Sequence, residues 1–175
     1  MSDISDPPIL LRRMDAAFDA IAMACRILTG LSLVTLTAIF GWLVYGRYVL
    51  NATPTWVEQV ALLLVMVIAF LGAAVGVHDH THLSVTMLRT AVPDRIRSVL
   101  VVVTDLFMAG FGLLMLWYGV KLTIFKWGSL IPLLDLPEGL RSVPLTVGGG
   151  LIALFSIGHL VRRAVGRDIR RDSIE

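Results

Sequence analysis

The chain contains 175 residues, of which 57% are hydrophobic and 16% charged, and its formal net charge at pH 7 is +2. Soluble domains carry about 25% charged residues, and a globule of this length could not bury so large an apolar fraction. The composition therefore excludes a secreted enzyme, a nucleic-acid-binding protein and a disordered tail, and indicates an integral membrane protein. The lone cysteine, Cys25, excludes a disulfide framework and a CxxC pair.

The N-terminal segment predicts an amphipathic helix. Apolar residues recur at spacings of three and four between Leu11 and Cys25, and charged residues occupy the other face. We expect this segment to lie along the inner membrane surface. One straight helix through residues 10–46 would be about 55 Å long, so we expect a bend near residues 26–30. A single long, tilted first helix is the alternative.

Four stretches are long and uncharged enough to cross a bilayer. A span needs roughly 20 apolar helical residues, and such stretches lie at 27–46, 59–77, 98–120 and 142–161, interrupted only by Asp105. Backbone polar groups must be paired inside lipid, so these stretches are predicted to be helices. The predicted fold is all-α: an integral membrane four-helix protein, one domain over 1–175, with an N-terminal amphipathic interfacial helix.

The flanking charges predict the orientation of these spans. With four spans, both termini and the middle loop share one side, which carries eleven arginines, whereas the other side carries four Lys or Arg residues. The positive-inside rule therefore places both termini in the cytoplasm. All four tryptophans and three tyrosines fall near the outer boundary, where amphipathic rings prefer to lie.

The two outer connections carry features of their own. Arg47 ends the first span and Glu58 begins the second, with Trp56 between them, so a short turn could bring the opposite charges together at the membrane edge. Two separately solvated charges are the alternative. The second connection, residues 128–144, contains three prolines and cannot be a continuous helix. Because it is also apolar, we expect it to lie on the membrane or against another protein.

Small residues predict helix contacts in the second and fourth spans. Gly72 and Gly76 form a GxxxG pattern, and three glycines at 148–150 provide a second smooth patch. In lipid, small residues allow close approach of helix backbones, because burial of apolar surface no longer drives association. These patches are interpreted as contacts within the chain or with another subunit.

Histidines and one buried acid are the candidates for chemistry. His78, His80 and His82 lie together after the second span, and His159 lies near the end of the fourth. Metal or haem binding needs converging ligands, which this spacing does not supply, so a polar cytoplasmic turn is the preferred interpretation. No nucleophile-and-base motif or phosphate-binding loop is present, so no enzyme is expected.

Asp105 lies inside the third span, about 12 Å from Arg97 along the helix. An acid at such a depth is a functional candidate by default. It could bind a coupling cation, relay protons or pair with a neighbouring protein. The alternatives are contact with interfacial water or a hydrogen bond to a hydroxyl such as Ser156. We favour a structural or interface role.

Several motifs resemble one transporter family. The run RYVLNATPTWVEQ at 47–59 is followed by FLGAA at 70–74 and HLSV at 82–85. This order is similar to that in the small membrane subunit of TRAP transporters, the DctQ-like family, over residues 14–163. Five positions match the family pattern: Arg47, Trp56, Glu58, Gly72 and His82. The second glutamate of its Trp-x-Glu-Glu motif is replaced by Gln59, and a later aspartate by Thr86.

The resemblance implies a division of labour among three proteins. A periplasmic substrate-binding protein would capture an organic acid, and a large TRAP membrane subunit would carry it with sodium ions. This chain would brace the large subunit as a scaffold, with membrane lipid as its other partner, no nucleic acid and no cofactor of its own. The candidate interface or structural residues are Arg47, Trp56, Glu58, Gly72, Gly76, His82 and Asp105.

Three other functions fit the sequence less well. One is a small haem- or quinone-binding membrane protein that uses the histidines and Asp105. Another is an autonomous small channel or homo-oligomeric transporter. The third is the small subunit of a tricarboxylate-type tripartite transporter, which hydropathy does not distinguish from the preferred function.

Overall fold

The computed structural model describes residues 9–52, 54–79, 94–132 and 134–164. Within these ranges the chain forms four long helices: α1 (Ile9–Tyr48), α2 (Trp56–His78), α3 (Asp94–Lys126) and α4 (Val143–Ala164). A short 3-10 helix, Glu138–Ser142, leads into α4. Each of the four is long and apolar enough to cross a membrane. The predicted all-α membrane fold is therefore confirmed.

α1 is a single helix of 40 residues. It continues through residues 26–30, so the predicted amphipathic segment forms the first turns of α1 rather than a separate element. No proline interrupts the helix, and proline is the residue that most strongly breaks one. At 1.5 Å per residue α1 is about 60 Å long, which is about twice the 30 Å hydrocarbon thickness.

The helices pack in the order α1–α2–α4–α3. The pair α3–α4 has the most extensive contact, and α1 packs mainly on α2. Half of the α4 span is buried inside the chain, compared with 6% of the α1 span. α4 is thus the central helix, while α1 and α3 are edge helices with broad apolar faces left open.

A compact core forms at the end of the bundle that contains His78. Its buried residues come from three helices: Ala22, Ala74, Val77, Ile152 and Phe155. Phe18 of α1 reaches across to α4 and meets Phe155 edge-on, with ring centroids 5.8 Å apart. This core joins α1, α2 and α4 at the end that the sequence predicts to be cytoplasmic.

The proline-containing outer connection folds back on the chain. Ile131 is only 1% exposed, and its backbone nitrogen donates to the Leu136 carbonyl at 2.7 Å. Glu138 donates its backbone N–H to the Ser129 carbonyl at the same distance. The described part of this apolar connection is therefore anchored in its own chain by a buried isoleucine and paired backbone groups.

Candidate functional site

The three consecutive glycines of α4 place this helix tightly between two neighbours. A Cβ atom on Gly148 would lie 2.7 Å from the Phe70 Cβ in α2. A Cβ atom on Gly149 would lie 2.6 Å from the Met115 Cβ in α3. Both distances are shorter than carbon atoms tolerate, so any side chain here would push α4 away from α2 or α3. This predicted patch therefore makes contacts within the chain.

Two further glycines, in α3, were missed by the sequence analysis. A Cβ atom on Gly112 would lie 2.6 Å from the Ala153 backbone nitrogen, and one on Gly119 would lie 2.6 Å from the Thr146 Oγ1. Gly112 and Gly119 are seven residues apart, which places them on one helix face. This spacing of seven residues between two glycines is the sequence pattern that could have predicted the contact. The two contacts also fix the antiparallel register of α3 and α4.

The GxxxG pattern of α2 behaves differently from these glycines. A Cβ atom on Gly72 would lie 3.9 Å from the Thr29 Cγ2, an ordinary contact, and one on Gly76 would meet nothing within 4 Å. The pattern thus creates no tight contact among the described residues. Gly76, itself half-buried, instead continues a face of α2 whose other members are exposed. We call this face the α2 outer stripe: Leu62, Met66, Ala69, Ala73 and Gly76.

The hypothesised pair of charges at the first outer turn does not form among the residues that the structure describes. Arg47 and Glu58 are both exposed, and no ion pair joins them. Trp56 is 41% exposed beside them. These three predicted residues therefore lie with their side chains exposed, at the end of the bundle opposite His78.

A second outer arginine is held by a neutral partner. Arg141, in the 3-10 helix, donates a hydrogen bond from its guanidinium to the Gln59 amide oxygen in α2. Its Nε is buried and has no hydrogen-bond partner within the described ranges. Gln59 stands where the resemblance expects glutamate, so this part-buried cation faces an amide instead of a carboxylate.

Other outer contacts tie α3 to its surroundings. Lys126 donates to Glu138 at 2.7 Å, which joins the end of α3 to the 3-10 helix. The Lys121 ammonium lies 5.1 Å from the centroid of the Trp117 ring, within the range of a cation–π interaction. Trp117 and Tyr118 are 63% and 64% exposed, and the sequence predicts that they belong to the outer aromatic belt.

A charged cluster surrounds His78 at the other end of the bundle. The His78 Nε2 lies 3.3 Å from the Asp19 Oδ1, and its Nδ1 lies 3.2 Å from the Asp79 Oδ1. Asp79 also accepts a hydrogen bond from Arg26. The cluster therefore links α1 to the end of α2. Sequence analysis singled out His78 only as part of the histidine run.

Asp105 is buried in α3 with 7% of its surface exposed. The antiparallel register of α3 and α4 brings it level with the part of α4 that carries Ser156 and His159, which are also buried. The Ser156 hydroxyl has no hydrogen-bond partner among the described residues, so the suggested Asp105–Ser156 bond is not formed. Asp105 lies in the α3–α4 interface rather than on an outer face.

His82 and His80 lie outside the described residues, so the structure gives no account of them. Within the described ranges, no group of three or more His, Cys, Asp or Glu side chains is arranged to hold a metal ion.

Comparison with known proteins agrees with this picture. The family described as "Tripartite ATP-independent periplasmic transporters, DctQ component" matches residues 36–166. A TRAP transporter small permease protein of Haemophilus influenzae is 27% identical over 135 residues, which cover 75% of this chain and 82% of that protein. The sialic acid TRAP transporter small permease protein SiaQ of Vibrio cholerae is 29% identical over 76 residues, covering 43% of this chain and 44% of that protein.

Proposed function

The chain belongs to the DctQ component family of tripartite ATP-independent periplasmic (TRAP) transporters, and we propose that it is the small membrane subunit of a sodium-driven transporter for organic acids. It is a multi-pass membrane protein, and we place it in the bacterial inner membrane. A large membrane subunit would carry substrate and sodium ions, and a periplasmic protein would deliver the substrate. This chain, with no cofactor of its own, would brace the large subunit.

The observation that best supports a scaffold role is the open face of α2, because it carries small residues. α1 and α3 lie at the two edges and bury little of their apolar surface inside the chain. Exposed apolar surface alone does not drive association in lipid, whereas small residues that admit a neighbouring backbone do. The α2 outer stripe provides such residues, because its side chains become smaller from Leu62 and Met66 to Ala73 and Gly76.

We expect Gly76→Leu to weaken assembly with the large subunit without unfolding this chain, because a side chain on Gly76 meets nothing within 4 Å. Gly110→Leu is the matched control, since a Cβ atom on Gly110 likewise meets nothing within 4 Å but Gly110 lies on α3. The measurement is recovery of the large subunit when each tagged variant is purified from membranes. Equal recovery with Gly76→Leu and with the unchanged chain would contradict this use of α2.

A transport assay separates a scaffold from a self-sufficient transporter. Vesicles that contain only this chain are expected to show no uptake, whereas vesicles with both membrane subunits and the binding protein should accumulate substrate when a sodium gradient is imposed. A panel of organic acids that includes sialic acid, named for the Vibrio relative, would identify the substrate. Flux through this chain alone would overturn the scaffold proposal.

A further inference from the structure

The proline-containing outer connection keeps apolar side chains exposed although it is folded against its own chain. We propose that its described residues 129–132 and 134–138, here called the outer hairpin, are an interfacial anchor in the bilayer leaflet at the end of the bundle opposite His78. The partner is the boundary between lipid headgroups and acyl chains rather than another protein. The proposal concerns this chain alone and does not depend on which substrate the transporter carries.

The backbone pairing gives the outer hairpin two faces. Leu130 and Pro137 form an antiparallel bridge, with a backbone hydrogen bond on either side of it. Successive side chains of an extended segment point to opposite faces, so Leu130 and Ile131 lie on different sides. Ile131 is 1% exposed, whereas Leu130 is 62% exposed. One face therefore holds the hairpin on the chain, and the other presents an apolar side chain to the surroundings.

The outer hairpin follows directly on an open apolar part of α3. Ile124 and Phe125, in the last turn of α3, are strongly exposed, and so is Trp127 just after the helix. Because α3 lies at the edge of the bundle and is long and apolar enough to cross a membrane, these side chains meet lipid. Tryptophan is enriched where acyl chains end and headgroups begin. The hairpin is therefore continuous in sequence with a surface that faces lipid.

The height of the outer hairpin fits this boundary. The span in α3 runs from Leu100 to Lys126, so Lys126 lies about 20 Å along the helix from the centre of the span. The hydrocarbon core ends about 15 Å from the bilayer midplane, and the headgroup region ends at about 20 Å or slightly beyond. The hairpin begins three residues after Lys126 and folds back on itself. It is therefore expected at the level of the headgroups.

The backbone of the outer hairpin suits a medium that is poor in water. Its two prolines have no N–H group to donate. Four other residues donate their backbone N–H to carbonyls of the same region: Ser129, Ile131, Leu134 and Glu138. Acyl chains supply no hydrogen-bond partner, so a segment that enters them must pair its backbone groups. A loop that docks on a soluble protein has no such requirement, because water and the partner supply hydrogen bonds.

The charges of the outer hairpin limit how deeply it enters the leaflet. Lys126 and Glu138 lie 2.7 Å apart, so these two charges compensate each other close to lipid. Asp135, in the turn of the hairpin, is exposed and has a φ of 50°, a left-handed conformation that aspartate adopts more readily than most residues. An exposed carboxylate favours water over hydrocarbon. The turn therefore stays hydrated while the leucines meet lipid.

The test measures which medium surrounds the exposed leucines in the full chain within lipid nanodiscs. A nitroxide spin label is attached to Leu130→Cys or Leu136→Cys after Cys25→Ala, and both labelled positions are exposed. Power-saturation electron paramagnetic resonance compares collisions with oxygen, which concentrates in lipid, and with a nickel chelate, which stays in water. Leu114→Cys, exposed near the centre of the α3 span, is the lipid reference. Ala52→Cys, exposed in the first outer turn, is the water reference.

We expect both hairpin labels to collide with oxygen more than with nickel, as at Leu114→Cys, and we expect the reverse at Ala52→Cys. Preferential collision with nickel at the two leucine positions would place the hairpin in water and overturn the proposal. Protection from both reagents would mean that protein covers the hairpin, and would overturn it as well. The preference for oxygen should persist when the large subunit and the binding protein are present, and its loss there would exclude a lipid anchor.

Discussion

The backbone of α3 at Gly112 lies so close to α4 that a Cβ atom there would be 2.6 Å from the backbone nitrogen of Ala153. No side chain can be accommodated at that distance unless one helix moves. Among the described residues, α3 and α4 form the helix pair with the most extensive contact, and at Gly112 their main chains meet directly. In a bilayer, van der Waals contact between closely packed helices favours their association, whereas burial of apolar surface gives no driving force because lipid is itself apolar.

We predict that Gly112→Ala destabilises the subunit, because the new methyl group must separate α3 from α4. Overpacking of this kind costs about 1–3 kcal/mol. The measurement is the thermal unfolding midpoint of the full chain in detergent, followed by circular dichroism. Gly110→Ala is the control, since its Cβ meets nothing within 4 Å, and its midpoint should not fall. A similar loss in both variants would contradict the argument.

A second pair of variants tests the contact between α4 and α2. Gly148→Ala would place a methyl group 2.7 Å from the Phe70 Cβ, whereas Gly150→Ala would place one 3.5 Å from the Leu116 Cδ1, an ordinary contact. We expect only Gly148→Ala to lower the unfolding midpoint, by the equivalent of about 1–3 kcal/mol. Unchanged stability of Gly148→Ala would contradict this prediction, because it would show that α2 and α4 can separate without cost.

Phe155 is predicted to be the side chain of the core near His78 whose removal lowers the free energy of unfolding most. It is 1% exposed and touches both Phe18 and His78, so Phe155→Ala leaves a cavity and should cost about 3 kcal/mol. Leu154→Ala changes the neighbouring exposed residue and should alter stability by less than about 0.5 kcal/mol. Comparing the two in unfolding titrations with sodium dodecyl sulfate measures the difference; equal effects would refute it.

Gln59→Glu is expected to stabilise the outer end of the bundle. The amide oxygen of Gln59 already accepts from Arg141, and a carboxylate in its place would turn this bond into an ion pair between groups that are partly buried. The gain should be about 0.5–1 kcal/mol, the upper range for pairs that water reaches. Gln59→Leu removes the acceptor and should lower the unfolding midpoint. A lower midpoint for Gln59→Glu would indicate that Arg141 is satisfied elsewhere.

The sequence located the helices because a span depends on local composition. The predicted stretch 59–77, for example, lies inside Trp56–His78, since charge and length alone decide where a helix can enter lipid. The start of α1 was less predictable. Whether an amphipathic segment lies in the interface or continues a span depends on what its polar face meets, and here that face meets His78.

Contacts between helices were harder to predict because they depend on the rotation of each helix. A Cβ atom on Gly76, which belongs to a GxxxG pattern, would meet nothing within 4 Å, whereas one on Gly112, which belongs to none, would lie 2.6 Å from the α4 backbone. Asp105 was recognised as costly inside lipid, but its burial against α4 depends on a register that only the packed structure defines.

The uninterrupted length of α1 has a mechanical consequence. The helix runs from the region of Asp19 to the turn near Arg47 without interruption. Its two ends are therefore expected to move together. In a stiff helix of about 60 Å, a tilt of about 5° displaces the far end by about 5 Å. A tilt of α1 imposed at one surface of the bilayer would therefore displace its end at the opposite surface.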